Sequence, residues 1–338
     1  INQFNRLAQS GLLEYTNNQP LTYNPSLGIY QQGTAVGFYS KAESKQNYTN
    51  IEPRFTLAYR QEQSAWKASY QRVNQYLHLI SNTTSPTPLD VWTPSGRYLK
   101  PQQSDQWALG YVTERENGNS LEAEVFYKHT DNRYDYIDGA ELVANEAIEQ
   151  ILLPGTARAY GLELLFKKTQ GNVTGIAGYT WSRAEQKTPG LLANEPGINQ
   201  GDWYRSAYDK THDLSLSLSY THSKKWKWDA NAILQTGQPI TYPLGQYEFM
   251  GTRVPSFGQR NGQRLPTYHR IDVAATLTPK KQQDKKIKGS WVFGIYNIYN
   301  RRNAATISFK QDPETGKNQA YKLSIFGIIP SVTYNIRF

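Results

Sequence analysis

Pro330-Ser331-Val332-Thr333-Tyr334-Asn335-Ile336-Arg337-Phe338 decides the fold. Val332, Tyr334, Ile336 and Phe338 fall on one side of a strand, and Ser331, Thr333, Asn335 and Arg337 on the other, because side chains alternate between the faces of a strand. One such segment suits any sheet with a wet face. The same pattern along the whole chain, ending on an aromatic residue, predicts a barrel with lipid outside and water inside.

Upstream, the alternation recurs. Phe55, Leu57 and Tyr59 oppose Arg54, Thr56, Ala58 and Arg60, and Trp66, Ala68 and Tyr70 oppose Lys67, Ser69 and Gln71. Leu121, Ala123, Val125 and Tyr127 oppose Glu122, Glu124 and Lys128. The clearest run sets Leu214, Leu216, Leu218 and Tyr220 against Ser215, Ser217 and Ser219. The pattern predicts strands at 50–61, 65–80, 104–116, 119–130, 156–168, 173–185, 211–221, 226–238, 267–278, 289–310 and 319–338. Most are near the roughly 9–11 residues of a tilted spanning strand.

Connections alternate between short (62–64, 117–118, 169–172, 222–225, 279–288) and long (81–103, 131–155, 186–210, 239–266). Short turns on one rim and long loops on the other mark an antiparallel up-and-down transmembrane β-barrel. Aromatics beside the short turns, such as Tyr59, Trp66, Tyr220, Trp226 and Trp228, read as a girdle. Placing the C-terminus on the short-turn side requires 289–310 to be one strand, irregular at Asn300-Arg301-Arg302-Asn303. Residues 1–49 read as a strand end plus a long outer loop, and 50–338 as spanning strands. Single-chain bacterial barrels usually have an even number of strands, and bare edges are costly in lipid. An odd set therefore predicts part of a barrel.

Composition agrees. Mean hydropathy is −0.69, and no apolar run approaches the ~18–20 residues of a membrane helix. The chain has 25 Tyr and 8 Trp, ring types that favour membrane–water boundaries. With no Cys, disulfides, zinc–thiolate sites and thiol catalysis are out. The net charge is +9, but its densest run, Lys280, Lys281, Lys285, Lys286 and Lys288, reads as a solvated turn and not as a nucleic-acid patch. The chain starts at Ile1 and reads as a processed or partial product.

Several word-like strings occur in order: Glu52-Pro53-Arg54, Gln75-Tyr76-Leu77-His78-Leu79, Pro88-Leu89-Asp90-Val91-Trp92-Thr93-Pro94, Ala159-Tyr160-Gly161-Leu162-Glu163 and Tyr179-Thr180-Trp181-Ser182-Arg183. Arg260-Asn261, Arg264, Pro266, Tyr268-His269-Arg270 and Asp272 follow, then Tyr296-Asn297-Ile298-Tyr299-Asn300-Arg301 and Ile329-Pro330-Ser331-Val332. Together they resemble the C-terminal half of the barrel of TonB-dependent receptors, in the subtype with a carboxypeptidase-regulatory-like N-terminal domain. The resemblance implies the last half of a barrel of about 22 strands with a plugged lumen. It also implies import of a scarce nutrient (iron chelate, haem, cobalamin, glycan or peptide) across the outer membrane of a Gram-negative bacterium. Implied partners are the TonB complex, acting through a plug absent from this chain, outer-membrane lipids, a surface lipoprotein, and the barrel-insertion machinery reading Phe338 as an assembly signal. The alternative is a non-transporting barrel subunit that scaffolds an outer-membrane complex. A secreted soluble β protein such as a lectin is the weakest reading.

No residue pattern points to catalysis, a cofactor or a metal. Glu122 and Glu124 share a face with Lys128, as a hydrated wall explains. Asp131, Asp135 and Asp138 near Gly139 do not match a calcium loop. The His residues form no His-x-x-x-His pair, and His212 and His269 read as wall or rim hydrogen-bonding residues. Ligand contact is expected in the long loops, at Asp90, Trp92, Tyr98, Trp203, Tyr204, Arg205, Tyr247 and Arg253, since aromatics with Arg grip sugars, catechols or acidic groups. The plainer role for the same residues is ordering the loops against one another.

Overall fold

A computed structural model describes residues 2–7, 13–38, 44–80, 91–142, 145, 147–279, 288–312 and 314–338. Eleven antiparallel strands form one sheet, each hydrogen-bonded to its neighbours in chain order. They are β1 (Arg54–Arg60), β2 (Ser64–Gln75), β3 (Gln102–Glu114), β4 (Asn119–Tyr136), β5 (Leu152–Lys168) and β6 (Val173–Lys187). Next come β7 (His212–Thr221), β8 (Trp226–Gln235), β9 (Tyr268–Leu277), β10 (Lys288–Tyr296) and β11 (Ile329–Arg337). A short strand, Trp203–Arg205, pairs with the upper end of β6. Among the described residues β1 and β11 do not pair with each other, so the sheet is an arc of barrel with two open edges.

The register shows why these residues make this sheet. Leu57 faces Ala68, which faces Leu109, then Val125, Leu162 and Trp181. Further round, Leu214 faces Leu234, Ala232 faces Ile271, Val273 faces Ile295 and Phe293 faces Val332. Apolar thus meets apolar across the sheet, and a one-residue slip would turn a strand's apolar set to the wrong face. The opposite face carries the row Lys67, Gly110, Glu124, Glu163, Thr180, Asp213 and Gln235. It lines a concave space of about 500 Å³. The apolar face is exposed, at Leu57, Leu109, Val125, Leu218, Phe293 and Val332 among others. So large an apolar surface belongs against lipid or a partner. Buried apolar clusters lie instead in the loop layer, around Leu99, Ile148 and Leu152, and around Leu21, Leu153 and Ile198.

The short turns use local chemistry. Asn117 Oδ1 accepts the Asn119 N–H at 3.2 Å, and Gly118 takes a φ of +75° that side chains disfavour. Ring contacts gather on this rim, with Trp66 4.8 Å from Tyr111 and Trp291 4.7 Å from Tyr334.

Several boundaries differ from the sequence reading. Residues 289–310 are not one strand, and 319–338 is not the closing strand. β10 ends at Tyr296, the strands Thr306–Gln311 and Asn318–Leu323 pair as a hairpin, and β11 begins at Ile329. Asn297 is the reason. It has a φ of 54°, its N–H donates to Asp272 Oδ1 at 2.8 Å, and its amide bonds both Arg301 N–H and Arg301 C=O at 2.9 Å. That clamp turns the chain out of the sheet. The outer loop holds an even pair of strands, so the C-terminus still lies with the short turns. β2 ends at Gln75, and Leu77–Ile80 leaves to pair with Val91–Pro94. β4 and β5 run on to Tyr136 and Leu152, past a register shift at Asp131/Arg133. Within 1–49, Asn2–Leu7 pairs with Ser44–Asn50, and two further strand pairs lie between them.

Candidate functional site

The upper extensions of β4, β5 and β6 carry the loops, and a buried polar cluster ties the loops together. Asp135 sits on the β4 extension. Its Oδ2 accepts from Tyr204 Oη at 2.6 Å and from Gln186 Nε2 at 2.6 Å. Its Oδ1 accepts from Arg260 Nη1 at 3.0 Å. Arg260 also donates to the Tyr136 carbonyl at 2.6 Å, binds Asp138, and stacks its guanidinium 4.2 Å from the Tyr136 ring. Asn199 closes a two-way link to the Arg260 backbone at 2.8 and 3.0 Å, and Asn261 Nδ2 donates to Arg205 O at 2.8 Å. The described residues of loops 131–155, 186–210 and 239–266 are therefore one hydrogen-bonded body. Burial, then the Asp135 charge, pushes the Tyr204 phenol up, so it stays a donor. Burial works against the Arg260 charge, but Asp135 and the oxygens around it hold its pKa above the usual value.

A pocket of about 540 Å³ opens beside this body, between the 18–23, 97–100, 149–154 and 191–195 segments. Tyr23, Arg97, Tyr98, Lys100, Glu149 and Glu195 are among its walls. Tyr98 packs edge-on against Tyr15 at 5.1 Å, and its hydroxyl accepts the Tyr15 N–H at 3.3 Å. Lys100 N–H donates to Tyr134 Oη at 2.6 Å, which fixes that wall. Behind it, His78 is fully buried between Ser95 Oγ (2.8 Å) and Gln102 Nε2 (3.0 Å). Burial, with Arg133 and Arg6 nearby, lowers its pKa to about 4, so it is neutral near pH 7. Ring faces, cations and carboxylates around one concavity suit a polar ligand with flat or anionic groups.

The chain matches the family model described as "TonB dependent receptor-like, beta-barrel" over residues 11–298. The chain belongs to the TonB-dependent receptor β-barrel family. Its fold is similar to solved receptor structures. The ferric-catecholate import receptor Fiu of E. coli K12 superposes with a TM-score of 0.54 at 15% identity, over 91% of this chain and 37% of that one. The siderophore receptor PiuA of Acinetobacter baumannii gives 0.56 at 14% identity, over 90% and 38%. The FrpB iron transporter of Neisseria meningitidis gives 0.52 at 12%, over 88% and 40%. The chain thus spans at most 40% of the length of each of these structures. No curated protein matches it.

In this TonB-dependent receptor barrel, the residues singled out from the sequence do not converge on one place. Tyr98 lines the pocket. Tyr204 is buried in the polar cluster, with its hydroxyl committed to Asp135, Gln186 and Thr188. Trp203 lies under the Arg158 guanidinium at 4.1 Å, and Arg205 faces Glu185. Trp92 is exposed on a strand opposite Leu79. Tyr247 and Arg253 sit on the Pro243–Phe249/Thr252–Phe257 hairpin, and Arg253 reaches the Thr315 carbonyl at 3.0 Å. Asp90 lies outside the described residues. His212 bonds the Tyr179 hydroxyl and His269 that of Tyr299, each at 2.9 Å. Asp131, Asp135 and Asp138 go separate ways, Asp131 to His129 at 3.1 Å and the other two to Arg260. Among the described residues no group of three or more His, Asp or Glu side chains could hold a metal ion. Sequence reasoning missed the hub role of Asp135, Gln186 and Asn199. The one signal available was the Arg260-Asn261 string.

Proposed function

We propose that this chain is the C-terminal wall and loop layer of an outer-membrane receptor that imports a scarce nutrient into the periplasm of a Gram-negative bacterium. The observation that carries the proposal is the two-faced sheet: an exposed apolar band on one face, a polar concave face on the other, and a cross-linked loop layer above the long-loop rim. In this reading the chain acts on its ligand by binding and passage, not by catalysis. Tyr98 and its pocket neighbours meet the ligand first, with Trp92, Tyr247 and Arg253 on outlying strands as further contacts. Energy comes from the TonB complex acting on a plug supplied by the rest of the receptor. Phe338, one residue past β11 and almost fully exposed, is read by the barrel-insertion machinery.

The test uses the complete gene. Deletion should abolish growth on one limiting nutrient. Ferric catecholates and other siderophores, the ligand types named for Fiu and PiuA, come first in the panel, then haem, cobalamin, glycans and peptides. Tyr98→Ala should weaken binding of that nutrient while surface levels hold. Unchanged uptake of every nutrient, with loss of an outer-membrane complex, would replace import with the scaffold role.

A further inference from the structure

Four charged side chains stand in the walls of the pocket of about 540 Å³: Arg97, Lys100, Glu149 and Glu195. Two of them are already matched. Arg97 Nη1 pairs with Glu14 at 3.4 Å, and Glu149, only 8% exposed, pairs with Arg6 Nη2 at 3.6 Å. The other two have no ionic partner. Glu195 Oε2 accepts from the Leu191 N–H at 2.6 Å and from Tyr30 Oη at 3.4 Å, which fixes the carboxylate without bringing a cation to it. Its Oε1 has no partner among the described residues. Lys100 is anchored through its backbone, whose N–H donates to Tyr134 Oη at 2.6 Å. Its ammonium has no partner among the described residues, and no ion pair joins it to Glu195. The pocket therefore holds one open cation and one open anion, on separate wall segments.

Much of the remaining lining is apolar. Leu21, Leu99 and Leu152 line the pocket, each at most 4% exposed and packed into the two buried clusters. Leu191 and Leu192, in the Glu195 segment, also line it and are 41% and 63% exposed. A ligand that covers these side chains expels water from the pocket. Any charge it fails to match then loses hydration and gains nothing in return, which is costly. An anionic chelate would satisfy Lys100 and be repelled by Glu195. A neutral sugar would leave both charges stranded. A short peptide with free ends supplies one charge of each sign and apolar side chains together. The Tyr23 hydroxyl, which lines the pocket and has no partner among the described residues, can donate to a peptide carbonyl. The volume falls in the range of sites that enclose ligands larger than one amino acid.

We propose that this pocket binds a short apolar peptide by its two ends, the carboxylate at Lys100 and the ammonium at Glu195. The proposal rests on the import reading of the chain and names the ligand class of that site.

Isothermal titration calorimetry on the complete, detergent-solubilised receptor tests it, with leucyl-alanyl-leucine, its N-acetyl form and its C-terminal amide as probes. The free peptide should bind, and each blocked form should bind about tenfold more weakly. Lys100→Gln should weaken the free peptide about tenfold and leave the affinity for the amide unchanged. Glu195→Gln should act in the same way on the ammonium end, with the N-acetyl form unchanged; this substitution keeps an acceptor for the Leu191 N–H. Equal binding of free and blocked peptides to wild type overturns the two-ended proposal. Binding of a ferric siderophore and of none of the peptides overturns the peptide class and leaves import standing. If deletion of the gene alters uptake of no nutrient, peptides included, the import reading falls with it.

Discussion

Replacing Arg260 with Ala tests whether the loop layer is a body locked from one residue. Arg260 and Asp135 are each only 10% exposed and 3.0 Å apart. Removing one partner of a buried pair costs ~3–5 kcal/mol, because the other charge is left uncompensated. Asp135 keeps the Tyr204 hydroxyl and the Gln186 amide, so the lower end applies, about 3 kcal/mol, equivalent to a ~150-fold change in an opening equilibrium. The lost bond to the Tyr136 carbonyl acts in the same direction. Hydrogen exchange on the detergent-solubilised receptor gives the readout. Amides in 199–205 and 253–264 should exchange about 100-fold faster in the variant, and those in 160–166 of β5 should not change. Asp135→Asn combined with Arg260→Ala should cost less than the sum of the two single changes. Unchanged loop protection, or a uniform loss across the sheet, refutes a local lock.

Leu216, opposite Ala177 and Ala232, faces the apolar side in mid-strand; Leu216→Arg should cost ~2–4 kcal/mol in an assembly assay, and Ser217→Arg on the wet side should assemble normally. His78 takes up its proton near pH 4 when folded and near 6.5 when free. Its loop should hold full stability above about pH 6.5 and lose it as pH falls toward 4, and exchange in 93–102 against pH should lose that slope in His78→Gln. At Gly289 an added Cβ would run into the Tyr334 ring, which also contacts Trp291 at 4.7 Å. Gly289→Val should displace that ring and destabilise the β10–β11 pair by about 1–3 kcal/mol, read as a lower melting temperature of the assembled barrel.

The two-faced character of the sheet was legible in the sequence because strand periodicity is local: Leu214 to Tyr220 announce their face without reference to any other strand. The alternation of short and long connections was legible for the same reason. The ending was harder. Asn297 turns the chain through its own φ and a bond to Asp272 on a neighbouring strand, and alternation carries no sign of such a contact. The loop layer was hidden almost entirely. Asp135 and Arg260 are 125 residues apart, and a lone Asp and a lone Arg look like surface charges until the fold brings them together.

Sequence alone therefore determined that this chain makes amphipathic strands with lipid on one side, and the family its ordered strings resemble. Tertiary structure decided which residues share a row, which loops are bound to one another, and which of the expected ligand contacts are already committed inside the fold. The division has one physical cause. Faces follow from the geometry of neighbouring residues along one strand, whereas rows, hubs and pockets depend on register and on side chains from distant loops.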